Sequence, residues 1–267
     1  MEIEFHLNKS VNENAGKYFE LAKKAKKKLQ GAKAALEESR RKLEKLRKEE
    51  AEFLNEEKNR QEQKAKKVKK REWYEKFHWF ISSEGFLCIG GKDATSNELV
   101  VKKHLEKDDL VLHTDMAGSP FFIIKNGQRA GEDTIKEAAQ AVAVYSKAWK
   151  MGYTTADVFY VNPEQLSKEA KPGEYIAKGA FMIYGKTKYI YPKMEYALGL
   201  VEREGIEGGI IGGPVSAVEK KTSNYALVIP GKEKKSSLAK KIRARLKGGD
   251  LDEIIKFLPA GGGEIKK

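Results

Sequence analysis

From Asn14 to Glu75 the chain contains no proline and only two glycines, Gly16 and Gly31. Ala, Leu, Glu, Lys and Arg dominate the stretch, so nothing in it stops a helix and nothing in it builds a sheet. A heptad seam runs through Ala25, Leu29, Ala32, Leu36, Ser39, Leu43, Leu46 and Phe53, with spacings alternating four and three except where Glu50 interrupts. That is about four heptads, enough to predict a coiled-coil arm. After Leu54 the seam disappears, and "EEKNRQEQKAKKVKKRE" offers only Ala65 and Val68. Two continuations stay open: a single solvated rod, or a reversal near residues 47–56 into an antiparallel hairpin.

Charge follows the same division. Of a net +13, residues 17–72 hold 21 Lys/Arg against 11 Asp/Glu, and residues 232–247 hold 8 against 1. Residues 73–231 hold 19 against 20 and are nearly neutral. A neutral body flanked by two basic segments is an electrostatic footprint for a polyanion, nucleic acid first. An anionic membrane is a poorer partner, because the basic segments have no amphipathic aromatic face. The N-terminus lacks the basic-then-apolar layout of a signal peptide, so a cytoplasmic location is expected. A single cysteine, Cys88, excludes an internal disulfide and any Cys-rich metal site.

The composition changes at Trp73, where five aromatics fall within eight residues, Trp73 to Phe80. "HWFISS" and "GFLCIGG" read as strands about a turn at 83–85, and "LVVKKHL" as a further strand or short helix. "DDLVLHTD", "PFFIIKN", "DVFYV", "EYIA", "AFMIYG" and "KYIYP" read as strands. "EDTIKEAAQAVAVYSKAWKMG" is the major helix, with Thr134 and Glu137 as a capping box and Gly152 as its stop. The glycines of "GIEGGIIGGP" suggest tight turns or close strand packing. Two helices are expected near 234–247 and 250–258. Without regular β-α alternation the fold class is α+β, a mainly antiparallel or mixed sheet with one major helix behind the coiled-coil arm. The expected divisions are an arm over 1–72, a body over 73–231 and a basic helical tail over 232–267.

"WYEKFHWFISSEGFLCIGGKDATSNELVVKKHL", "DLVLHTDMAGSPFFIIKN", "AVAVYSKAW" and "VNPEQLSKEAKPGEYIAKGAFMIYGK" resemble, in that order, the signature blocks of the NFACT-R domain. That domain belongs to the ribosome quality-control family called NEMF in animals and RqcH in bacteria. "SVNENAGKYFELAKKAKKKLQGAKAALEE" is similar to the start of the family's coiled-coil arm, and the C-terminal stretch is similar to archaeal members. The resemblance covers essentially residues 3–200. It implies binding to obstructed large ribosomal subunits and to tRNA, and support of mRNA-independent tailing of stalled chains. The family's N-terminal domain and helix-hairpin-helix region have no counterpart here, so no residue of this sequence inherits their tRNA-handling role. A fragment cut at a domain boundary and a stand-alone NFACT-R protein are both compatible with this.

The candidate residues follow from chemistry. In "HTDMAGSPFFIIK", His113 and Asp115 would face one side of a strand, the arrangement of a general acid–base or metal pair. Many relatives carry a second His where this chain has Ala117, which removes a site needing both. The alternatives are a structural Gly118-Ser119 turn, or phosphate contact through His113 and Ser119. "IGGKDATSNE" lacks the Gly-x4-Gly-Lys-Ser/Thr spacing and no clear helix is expected after it, which argues against a P-loop. For RNA contact the candidates are His113, Ser119, Lys125 and Arg129, then Lys147 and Lys150 beside Trp149. Lys186 and Lys188 join them, interleaved with Tyr184, Tyr189 and Tyr191, the two strand tyrosines 184 and 189 expected half-buried. The basic helix adds Lys240, Lys241, Arg243 and Arg245. No catalytic residue, metal ligand or cofactor is assigned. A hydrolase using His113 and Asp115, and a scaffold self-associating through the coil, are the rival readings.

Overall fold

A computed structural model describes residues 4–66, 72–169, 176–203 and 206–266, without the side chains of 48–49, 51–66, 202–203 and 206–208. The chain divides into two units, Met1–Arg71 and Glu72–Lys267.

The first unit holds α1, Val11–Lys66. Ser10 and Glu13 close its first turn: the Glu13 carboxylate accepts from the Ser10 N–H at 2.8 Å, and the Ser10 hydroxyl accepts from the Glu13 N–H. The helix runs unbroken for 56 residues, about 84 Å at 1.5 Å per residue. Of the two continuations, the rod is the one seen through Lys66. The seam leucines Leu29, Leu36, Leu43 and Leu46 are all exposed. Phe53 and Ala65 lie where side chains are not described, and Val68 lies outside the described residues.

The second unit runs β1 (His78–Ile81), β2 (Leu87–Gly90), α2 (Ala94–His104), β3 (Leu110–Thr114), β4 (Phe122–Ile124), α3 (Glu132–Tyr145) and α4 (Lys147–Met151). It continues through β5 (Val158–Val161), β6 (Leu166–Ser167), β7 (Met182–Ile183), β8 (Lys188–Ile190), β9 (Tyr196–Arg203) and β10 (Ile206–Gly213). The last elements are α5 (Val215–Glu219), β11 (Tyr225–Glu233), α6 (Lys235–Leu246), α7 (Leu251–Phe257) and β12 (Gly263–Ile265). A six-stranded sheet has the order β1-β2-β4-β3-β5-β8, a four-stranded one the order β10-β9-β11-β12, and β6 pairs with β7. All these pairings are antiparallel, as an α+β class requires.

The continuous apolar runs "LVL" and "FFII" arise because the large sheet is covered on both faces. Leu110, Leu112, Phe122, Ile124 and Val158 join the cluster of α3 and the second sheet. Their alternates Val111, Ile123 and Phe159 join the cluster under α2. The period of two in a strand sends successive side chains to opposite faces.

Several expectations differ from what is seen. The major helix breaks at Ser146, whose N–H is bonded to the Ala143 carbonyl and whose hydroxyl caps α4. Thr134 and Glu137 form no capping box. Gly131 is the N-cap, Thr134 bonds Ser82 and Glu84, and Glu137 takes the Ser83 N–H at 2.9 Å and the Ser216 hydroxyl at 2.6 Å. Both are buried, where satisfying a carboxylate in the core outweighs capping. In "GIEGGIIGGP", Ile206–Gly213 form strand β10, so of the two alternatives it is close strand packing that is seen, with Phe257 against Gly212. Of "EYIA", Glu174 and Tyr175 lie outside the described residues, while Ile176 and Ala177 are not strand. The basic segment is also not a separate tail: α6 buries Leu238, Ala239, Ile242 and Leu246 in the main core. Its apolar residues recur at helical spacing, so one face docks while the charged face stays in water.

Ile242→Ala should therefore lower the unfolding free energy by roughly 2–5 kcal/mol. For a unit of this size that is a melting-point drop of about 2–4 °C per kcal/mol. All three tryptophans, Trp73, Trp79 and Trp149, lie in this unit, so their fluorescence reports its melting. An unchanged transition would mean that α6 is not part of the core.

Candidate nucleic-acid interface

The turn from His113 to Phe121 is held from inside. The hydroxyls of Thr114 and Ser119 share a 2.8 Å hydrogen bond, and Ser119 donates to the Met116 carbonyl at 2.7 Å. The Met116 N–H donates to Thr114 at 3.0 Å. Gly118 makes the reversal with φ of 81°, a backbone that side chains other than glycine rarely adopt. Asn97 of α2 then clamps the returning strand: its amide donates to the Ser119 carbonyl at 3.3 Å, and its carbonyl accepts from the Phe121 N–H at 3.1 Å. Asn97 can sit there only because residue 91 is glycine, since a Cβ at that position would run into it.

His113 is committed to the same turn. Its Nε2 lies 3.2 Å from the Ser119 carbonyl, which can only accept, so Nε2 carries the proton. Its ring stacks on Phe121 with centroids 4.0 Å apart and 19° between planes. Burial pushes its pKa down to about 4, against smaller opposing effects from the Ser119 and Thr114 backbone and from Asp115. Asp115 lies past the end of β3, so strand alternation does not place it beside His113. It is exposed and accepts from the Tyr189 hydroxyl at 3.1 Å. The two residues line different hollows, Asp115 one of about 690 Å³ with residues 152–157, and His113 one of about 360 Å³. The acid–base pair suggested by the sequence is thus taken apart. Among the described residues no cluster of three or more His, Cys, Asp or Glu side chains is placed to hold a metal ion.

The 360 Å³ cavity gathers residues from distant segments: His78, Lys92, Asn97, His113, Phe121, Tyr145, Lys178 and Phe181 are among its walls. His78 stacks on Tyr145 at 3.7 Å and 19°. Burial, followed by the positive charges of Lys92 and Lys235, lowers the His78 pKa to about 3. Tyr145 is fixed in turn by hydrogen bonds to Tyr196 at 2.6 Å and the Phe257 carbonyl at 2.8 Å. Sequence reading missed this cavity, and no local signal marks it. One expectation there is corrected: "IGGKDATSNE" does open a helix. The Asp93 carboxylate accepts from the Ser96 N–H at 2.7 Å, and the Ser96 hydroxyl accepts from the N–H groups of Lys92 and Asp93. The donors a P-loop would aim at phosphate are occupied by this capping box.

The other candidates separate by what they touch. Ser119 is 1% exposed with its hydroxyl satisfied in the turn. Lys125 is an internal strut, donating to buried Asp109 at 2.7 Å and to the His104 carbonyl at 2.8 Å. Neither side chain is free for a ligand in this arrangement. Trp149 is buried and donates to the Gly262 carbonyl, while its neighbours Lys147 and Lys150 are exposed. Arg129, Lys186 and Lys188 are exposed as well. Tyr184 and Tyr189, expected half-buried, are 42% and 44% exposed, and Tyr191 is 65% exposed. β8 is an edge strand of the large sheet, so these rings stand beside the lysines in water. On α6, Lys240 and Arg243 line an open groove of about 440 Å³ with Lys247, Arg245 is exposed, and Lys241 pairs with Glu233 at 2.9 Å.

With this geometry in hand, the likeness to known proteins is specific. Residues 76–185 match the family described as the NFACT protein RNA binding domain. The chain is 40% identical over 215 residues to the archaeal Rqc2 homolog aRqcH of Methanocaldococcus jannaschii, covering 79% of this chain and 32% of that protein. It is 35% identical over 204 residues to the ribosome quality control complex subunit NEMF homolog of Drosophila melanogaster, covering 74% and 20%. Against human NEMF the figures are 37% over 185 residues, 67% and 16%. The body is thus of the RNA-binding-domain class. The chain belongs to the NEMF/RqcH family of ribosome quality-control proteins, and spans about a third or less of the length of these relatives. Among the described residues no helix is long and apolar enough to cross a membrane.

The two buried histidines set a pH dependence. Both bind a proton less readily folded than unfolded, where the ordinary pKa is about 6.5. The unfolded chain therefore holds more protons below that value, and stability is complete above about pH 6.5. It falls as the pH drops toward about 4, by up to about 1.4 kcal/mol per pH unit for each histidine. Urea unfolding followed by tryptophan fluorescence across this range should show the loss, with a shallower slope for His78→Phe. An identical slope in that variant would contradict a buried, neutral His78.

Proposed function

We propose that this chain is a non-catalytic RNA-binding part of a ribosome-associated quality-control factor. It would hold obstructed large subunits through rRNA, contact tRNA, and support mRNA-independent tailing of stalled nascent chains in the cytoplasm. The relatives' names supply the setting: human NEMF and its Drosophila homolog are ribosome quality control complex subunits, and the matching family model is an RNA-binding domain. The observation that carries the reading is the cationic groove on α6. Lys240, Arg243 and Lys247 stand together on a helix whose opposite face is locked into the core. Glu233, just before α6, is already engaged by Lys241 and Ser237. Lys240, Arg243 and Lys247 are in no ion pair among the described residues, and cations on a rigid base attract phosphates by counterion release, largely without regard to sequence. Lys147, Lys150, Lys186 and Lys188 extend the contact, and Tyr184, Tyr189 and Tyr191 supply faces on which unpaired bases can stack.

Binding of the chain to large subunits or to tRNA should weaken by roughly three to five decades between about 50 and 200 mM salt if six to ten phosphates are engaged. Replacing Lys240 and Arg243 with Glu should reduce the steepness of that dependence by about two phosphates' worth. Salt-insensitive binding, or none, would remove the reading.

A second reading has its own observation: the seam leucines of α1, from Leu29 to Leu46, are 52–61% exposed. Such a stripe suits self-association through a coiled coil. Light scattering of the full chain should then report a dimer that Leu36→Lys and Leu43→Lys together dissociate, whereas a monomer at all concentrations would exclude it.

A further inference from the structure

The cavity beneath α2 has a chemistry different from that of the basic surfaces. Its volume of about 360 Å³ falls within the roughly 300–1,000 Å³ of small-molecule sites. Its walls carry the rings of His78, His113, Phe121, Tyr145 and Phe181. Both histidines are neutral at physiological pH, so the interior offers faces and hydrogen bonds rather than charge. His113 is tied to Ser119, but the His78 ring makes no hydrogen bond among the described residues. Strand β1, where His78 pairs with Gly90, sets its backbone, and its ring stacks on Tyr145. A neutral imidazole carries one donor and one acceptor, and here both remain available to a ligand that enters the recess.

The rim is different again. Lys92 and Lys178 line the mouth and are exposed, and the Lys147 side chain lies against Gly118. Among the described lining residues Asp93 is the one acid, and its carboxylate is occupied by the Ser96 cap. Lys92 forms no ion pair among the described residues, and burial with the nearby charge of Lys256 disfavours its ammonium, a state that an incoming anion relieves.

We propose that this cavity receives a single unstacked nucleobase of bound RNA, with its flanking phosphates on Lys92, Lys147 and Lys178. A planar ring with donors and acceptors on its edge fits both the aromatic walls and the unpaired nitrogens of His78, and the sugar-phosphate on either side meets the lysines. An apolar side chain from a protein partner would fill the walls but leave His78 and the lysines unmatched. The inference rests on the RNA-binding reading above and adds a base-specific pocket to it.

The test separates the two. Fluorescence anisotropy of the full chain compares an abasic ribose-phosphate strand with the same strand carrying one adenine at its centre. The base-bearing strand should bind roughly 5- to 150-fold more tightly, the range of one base–aromatic stack. His78→Phe, which keeps the stack on Tyr145 but removes the ring nitrogens, should shrink that ratio. Ala117→Trp, which fills the mouth from an exposed position, should bring it to one. Replacing Lys240 and Arg243 with Glu should weaken both strands by the same factor and leave the ratio intact. Equal affinity of the unaltered protein for the two strands, or a ratio surviving Ala117→Trp in a protein of unchanged melting temperature, would overturn the pocket. Failure to bind either strand would overturn the RNA-binding reading itself.

Discussion

The body depends on a helix that has almost no solvent face. Beyond its first turn α3 is buried nearly all round, with Ala138, Ala139, Ala141, Val142, Ala143 and Val144 all fully inaccessible. It lies against the large sheet and also touches β9 and α5 of the second sheet's layer. Only small side chains allow a helix to be approached so closely from several directions, which is why residues 138–144 are alanine or valine at every position but Gln140. Glu132, Asp133 and Lys136 stay exposed, but two other polar residues of the helix do not. Thr134 and Glu137 are sunk among Ser82, Ser83, Glu84 and Ser216, so one carboxylate joins the first hairpin to the start of α5. Removing the partners of such a group would leave a buried charge uncompensated, and the helix is pinned in register by that penalty.

The cavity is placed by the end of this helix. Tyr145, at its last turn, carries His78 on one side and is bonded to Tyr196 and Phe257 on the other. The break at Ser146 turns the chain so that α4 buries Trp149 while Lys147 reaches Gly118. The cavity therefore joins core packing to loops: His78 and Tyr145 come from β1 and α3, while 91–93, 117–121 and 177–181 supply most of the remaining wall. The basic groove also rests on the core, because α6 presents its cations from a face opposite Leu238, Ile242 and Leu246. Long, exposed lysines on a rigid base are suited to phosphate; neutral, stacked rings in a recess are suited to a base. Both chemistries belong to one unit.

Sequence made the local part of this legible. The change at Trp73 marks the unit boundary to within two residues, since a solvated helix and a packed body differ in composition. The runs around Val111 and Ile123 reveal strands because both faces of the sheet are buried. The basic helix near 234–247 was equally clear, but its docking was not: the apolar positions at 238, 242 and 246 are ordinary helical spacing until a core is there to receive them. Thr134 and Glu137 misled because the spacing of a capping box also suits two polar residues facing inward. The pair His113 and Asp115 misled because strand alternation stops where the strand stops. The cavity was out of reach altogether, since residues 78, 92, 113, 145 and 181 come together only through sheet order. Conversely, the burial of Ser119 and Lys125 follows from partners more than two residues away, Met116 and Asp109, which no residue type announces.

The central claim is that the folded unit after residue 72, and not only the charged helix before it, grips RNA with its basic groove and its aromatic cavity. Ultraviolet cross-linking of RNA to the full chain, followed by mass spectrometry of the joined peptides, tests it most directly. The account predicts adducts on the segments around Tyr189 and Lys240, and on Phe121 or Tyr145 in the cavity. Adducts confined to residues 11–66 would contradict it.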